Sequence, residues 1–179
     1  MSRFSKWAGR EYSERQRMFT LLGLSLIFPV AIPLLLVFGG PFFDGYFNLI
    51  SFDSGILNIM AGLILIITGC LFAFWSVYVQ FTIGRGTPVP MMPTHKLIIR
   101  KPYSYCRNPM SLGAILLYLG IAIWIGSLSA VLLIVLFTLI LLTYNKLIEE
   151  RELQERYGAE YLEYKRKTPF LLPRIWKRS

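Results

Sequence analysis

The sequence predicts an all-α fold: a polytopic membrane helix bundle of about four transmembrane helices, followed by a C-terminal cytoplasmic interfacial helix. Three observations predict it. The 179 residues are 55% hydrophobic and only 16% charged, whereas a soluble domain carries about 25% charged residues. The deficit falls in four uncharged runs, residues 18–38, 56–83, 110–125 and 128–142, and about 20 apolar residues suffice to cross the hydrocarbon layer as a helix. The 19 Lys and Arg residues lie only at the termini and in the middle connection. This length suits a single membrane domain over 1–179, divided into two N-terminal spans with their outer loop (1–79) and a core (80–173).

The first run is longer than a signal-peptide core, and no small-residue cleavage site follows it promptly, so it reads as an uncleaved span. Pro29 and Pro33 should bend it, because each removes a backbone donor. The connection 39–55 reads as an outer loop whose Phe42, Phe43, Tyr46 and Phe47 form an interfacial aromatic belt. The second run, 56–83, is long and uniform. The third and fourth runs are separated only by Gly126 and Ser127, so they form a tight hairpin, the fourth extended through Tyr144 to Ile148.

Charge sets the orientation. Five Lys/Arg lie in residues 1–17, five in 84–108 and nine from Lys146 onward, while the opposite connections hold only Asp44 and Asp53. The positive-inside rule places both termini and the middle loop in the cytoplasm. The net charge of +9 is therefore mainly a topology signal, and no nucleic-acid motif accompanies it. No ionisable residue lies deep in a span, which argues against a channel or a proton-coupled transporter. His95 is the single histidine and has no neighbouring ligand, so no metal site is expected. Cys70 and Cys106 fall at different depths, and no bridge is expected in a reducing compartment.

Chemistry should gather on the cytoplasmic face. The middle loop contains "GRGTPVPMMP", residues 84–93, which reads either as an ordered lid or as a plain linker. After it comes "RNPMSLG", residues 107–113. Asn108 suits an N-cap and Pro109 a first helical position. Beside Arg107, that helix start is either an anion site or a simple cap with a snorkelling guanidinium. Gly113, one turn in, lets another helix or a ligand approach the backbone. Glu149 and Glu150 appear where the fourth run ends, with Lys146 one turn before Glu150. Leu153, Tyr157, Tyr161 and Tyr164 then make an apolar and aromatic stripe, and Gly158 marks a break or a C-cap. A hairpin holds its two cytoplasmic ends together, so Arg107–Gly113 should lie near the glutamate pair.

At these clusters the chain resembles the isoprenylcysteine carboxyl methyltransferases and the related phospholipid methyltransferases. The resemblance rests on "RNPMSLG", then a hydrophobic hairpin, then "EERELQ" and "YGAEYLEYKRKTP", and covers about residues 80–173. Ser111 stands where that family usually has Tyr, and Lys146 where several members have Arg. The resemblance implies an integral membrane enzyme that uses S-adenosylmethionine and draws a lipid-like acceptor from the bilayer. It places Arg107, Asn108, Pro109, Met110, Gly113, Glu149, Glu150, Tyr157 and Tyr161 at the cofactor. If the acceptor is a prenylcysteine-type carboxylate, the leading expectation, Lys146 or Arg151 would orient it. If it is a phospholipid amine, Glu150 would be the base. Two readings from other classes stand beside it: a sterol-reductase-like enzyme using NADPH, and a non-catalytic membrane scaffold.

Overall fold

The computed structural model describes residues 13, 15–16, 18–19, 22–23, 27–52, 55–84 and 96–173. Most of the expected lid (85–95), with His95, and both extreme termini lie outside the described residues. Among those described, the secondary structure is helical and contains no strand. Four membrane-type helices follow in order: α1 (Ile27–Tyr46), α2 (Ile56–Thr82), α3 (Pro109–Ile125) and α4 (Leu128–Tyr144). A π turn, Asn145–Glu149, joins α4 to α5 (Glu150–Lys167) without a break, giving one helical run of 40 residues. Only its first half is apolar, and the span ends at Ile148, where the glutamates begin. The 17-residue α3 is the shortest of the apolar helices.

The prolines of α1 widen the helix instead of breaking it. Pro29 lies in a π turn over Ile27–Ala31, and a second π turn covers Leu35–Gly39 just after Pro33. The wider turns absorb the missing donors. The helix also continues further than the sequence suggested. Residues 40–46, read as outer loop, form its last two turns, because Asp44 is not solvated there. It is buried, and its Oδ1 accepts the Ser129 N–H at 2.8 Å at the start of α4. Ser127 caps the same helix through Oγ, which accepts Ala130 N–H at 3.1 Å. Two acceptors thus satisfy orphan donors of one helix start.

The closest packing is between α2 and α3. Gly62 meets Gly120, and Gly69 meets Gly113, one heptad further along each antiparallel helix. A Cβ on Gly113 would lie 2.8 Å from Gly69 O and 2.5 Å from Ala73 N. The backbones therefore touch, as small residues permit between membrane helices. On the other flank of α3, Tyr118, Ile121 and Ala122 pack with Leu36 of α1 and Ala130 and Ile134 of α4. Tyr118 donates its hydroxyl to Phe28 O at 2.8 Å, so the one polar atom of this core is satisfied. Large apolar side chains along α1, α2 and α4 face outward, as lipid-facing surfaces should.

Candidate functional site

The site forms at the end of the bundle opposite the Gly126–Ser127 turn, from three segments. The first is the turn-rich stretch 96–108, held by Tyr103 N–H to Arg100 O (2.9 Å) and Tyr105 N–H to Pro102 O (3.0 Å). The second is the π turn with the start of α5. The third is the chain after Gly158. That glycine has φ 53 and ψ −124, a left-handed geometry that kinks α5. The kink turns the following residues back over the loop, so Tyr161 and Tyr164 are buried. Tyr164 donates to Tyr103 O at 2.7 Å. The second half of the aromatic stripe therefore packs on protein.

Arg107 and Glu150 meet, with Nη1 2.6 Å from Oε1. Their side chains are 11% and 7% exposed. A second cation, Lys165, reaches Oε2 of the same glutamate at 2.6 Å. Arg107 also lies against the Phe170 ring, 5.6 Å from its centroid. Residues 169–170 lie across the start of α3. Arg107 N–H donates to Pro169 O (2.9 Å), and Asn108 donates to Phe170 O through its backbone (3.2 Å) and its Nδ2 (3.0 Å). Asn108 thus does not cap its own helix through its side chain. It ties the C-terminal strap to α3 instead.

Glu149 is placed differently. Neither Glu149 nor Glu152 has an ion pair among the described residues. Burial, with Glu152 and then Glu150 beside it, pushes the Glu149 carboxyl up to about 7. Burial likewise raises Glu152, though Arg156 tempers this. Behind Glu149 stands Asn145, buried with Ser111. One end of its amide is 2.8 Å from Ser111 Oγ, and the other is 3.1 Å from Glu149 Oε2 and 3.2 Å from Leu141 O. An amide end facing two acceptors is the NH2, so Ser111 donates to Asn145, and Asn145 donates to Glu149.

The structure brings together Arg107, Asn108, Pro109, Met110, Glu149, Glu150 and Tyr161, as the hairpin argument required. Tyr157 is half-buried one turn before, under Arg156 at 5.8 Å. Three expected residues stand elsewhere. Gly113, open to a helix or a ligand in the sequence, is filled by the helix α2. Lys146 is exposed. Arg151 is 80% exposed and pairs with Glu155 at 3.2 Å, one turn on, away from the cluster. The cation at Glu150 is Lys165, which sequence reading placed only in a basic run. Its signal was Gly158, whose reversal returns a residue seven positions later to Glu150. A separate cavity of about 450 Å³, lined by Pro41, Asp44, Asn48 and Ser127, lies at the opposite end of the bundle. Two of its polar residues, Asp44 and Ser127, serve the α4 cap.

Paired charges, surplus carboxylates and two tilted tyrosine rings thus gather where a helix bundle long and apolar enough to span a membrane leaves its apolar phase. Residues 57–160 match the family model for phospholipid methyltransferases. The chain belongs to that family, within the superfamily that also holds the isoprenylcysteine carboxyl methyltransferases. Among curated proteins, none matches the chain significantly. The protein is therefore an S-adenosylmethionine-dependent membrane methyltransferase. The match spans α2, α3, α4 and most of α5, and stops just before Tyr161.

Proposed function

We propose that this enzyme methylates the head-group amine of a phospholipid, at a site open to the cytoplasmic side. One observation carries the choice of acceptor. Glu150 is neutralised by Arg107 and Lys165, whereas Glu149 and Glu152, on one helical face, are left without an ion pair. Such a site attracts a cationic head group and repels an anionic one. A prenylcysteine carboxylate, the other acceptor considered, needs a free cation. The two residues expected to supply it, Lys146 and Arg151, point elsewhere.

The residues present suit S-adenosylmethionine. Arg107 Nε and Glu152 Oε1 are buried without a hydrogen-bond partner among the described residues, and buried polar atoms left this way call for a ligand. Arg107, with the helix start at Met110, suits the carboxylate, whereas the donors of Asn108 are taken by Phe170 O. Glu150 and Glu152 suit the ammonium and ribose hydroxyls, which leaves Glu149 to the acceptor, and the half-buried Tyr157 offers an aromatic face. When bound, the cofactor supplies a methyl group carried on a sulfonium. A lipid amine is protonated near neutral pH and must lose a proton before its lone pair can react. Glu149 takes that proton at Oε1, since Oε2 is held by Asn145. This moves the base role from Glu150, whose oxygens are engaged by cations, to its neighbour. A group titrating near 7 is well matched to proton transfer at physiological pH. Tyr161, Tyr164 and the strap over residues 169–170 cover Arg107 and Glu150 and limit water there.

The test is transfer of label from S-adenosylmethionine, with the purified protein in vesicles containing phosphatidylethanolamine. A prenylcysteine analogue is offered in parallel. Label should appear on the lipid amine, and Glu149→Gln should lower transfer by about 10²-fold or more. Label on the prenylcysteine carboxyl alone would replace this reading by the other acceptor.

A further inference from the structure

The route from α3 to Glu149 is made of side chains that the reaction itself does not touch. Ser111 and Asn145 are 7% and 3% exposed. They come from different helices and meet at 2.8 Å, and Asn145 then reaches Glu149 Oε2 at 3.1 Å. The backbone between them is also unusual. Residues 145–149 form a π turn in which Glu150 N–H bonds to Asn145 O, five residues back. Asn145 and Glu149 are four residues apart and so share one helical face. Such π turns often mark sites where a side chain must be aimed. Three features thus coincide on one carboxylate: a buried hydroxyl donor, a buried amide and a widened turn.

We propose that Ser111 and Asn145 are positioning residues, a relay that fixes the orientation and charge state of the Glu149 carboxylate. The inference rests on the assignment of Glu149 as the base. Ser111 donates to the Asn145 oxygen and so locks the amide with its NH2 toward Glu149. Without the hydroxyl, the amide is free to turn over and present its oxygen to the carboxylate. The donated hydrogen bond favours ionised Glu149 and opposes the burial that raises it. The groups facing Glu149 are Glu150, Glu152 and Tyr144 on its own helical run, Tyr103 from the loop and Tyr161 from beyond the kink. None of these is a cation. Arg107 and Lys165 are engaged by Glu150. Among the described residues, the relay is the donor that stabilises the charge on Glu149.

Infrared pH-difference spectra of the ligand-free protein in detergent read the carboxyl directly. A protonated-carboxyl band should titrate near pH 7 and vanish in Glu149→Gln. In Asn145→Leu its midpoint should rise by about one pH unit, the size of one charge-assisted hydrogen bond. Ser111→Ala should raise it by a smaller step, and Ser111→Thr should restore it. The acid limb of the methyl-transfer rate should move with the band. An unmoved midpoint in folded Ser111→Ala or Asn145→Leu would overturn the relay. A band that moves as stated while no label reaches any lipid amine would leave the relay standing and remove the catalytic reading. If Asn145→Leu does not fold, Ser111→Ala against Ser111→Thr decides alone, because both keep the amide.

Discussion

Replacing Glu150 with alanine removes the shared partner of two cations, and the two should respond very differently. The Arg107 side chain is 11% exposed and 2.6 Å from Oε1. Deleting the carboxylate strands a guanidinium away from water, and an uncompensated buried charge costs about 3–5 kcal/mol. The Phe170 ring at 5.6 Å recovers only part of this, about 1 kcal/mol. Lys165 is 39% exposed, so it turns to solvent when its partner is lost. An ion pair so exposed contributes about 1 kcal/mol or less. Glu150→Ala should therefore destabilise the fold by about 2–4 kcal/mol, the difference of these two figures, and Lys165→Met by about 1 kcal/mol or less. Equilibrium unfolding in mixed micelles reads both. The double variant Arg107→Met with Glu150→Leu should recover much of the loss, because no bare charge remains. Equal losses in Glu150→Ala and Lys165→Met, each under about 1 kcal/mol, would refute the argument that burial makes Arg107 the dominant partner.

Gly113→Ala should destabilise by about 1–3 kcal/mol, since its methyl would sit 2.5 Å from Ala73 N and neither backbone has room to yield; thermal unfolding in detergent checks it. Asp44→Ala should cost about 1 kcal/mol through the lost acceptor for Ser129 N–H, with Asp44→Asn keeping most of it, in the same assay. Glu149 lies above its ordinary 4.5 in the fold, at about 7. Its protonated form is thus the one the fold favours. That contribution is complete below pH 4.5 and lost as pH rises through 7. Linkage makes it on the order of 3 kcal/mol, and Glu149→Gln should flatten the stability curve over that window. Cofactor affinity should run the other way and strengthen between pH 6 and 8, as Glu149 becomes an anion beside the bound cation. Isothermal titration at several pH values reads this.

The meeting of Arg107 with Glu150 was legible because a two-residue turn forces the far ends of a hairpin together, whatever the side chains. Lys165 was not, because a kink at one glycine decides where the next turn of helix goes, and a glycine alone does not state its dihedral angles. Asp44 misled for a related reason. An acidic residue among aromatics reads as loop, yet its carboxylate was needed by a helix start 85 residues away. Such long-range capping leaves no local pattern. The glycine seam was visible as matched spacings in two runs, Gly62 with Gly69 and Gly113 with Gly120, but pairing them requires knowing that the helices are neighbours. Ser111 stood out only as a departure from a tyrosine. Its partner Asn145 is an ordinary polar residue until the π turn faces it inward.

The glycine seam also bears on how a substrate arrives. Two helices whose main chains touch move as one slab and leave no slot for an acyl chain between them. A lipid tail therefore has no way in between α2 and α3. Substitutions at the seam should therefore change stability and leave the choice of lipid alone.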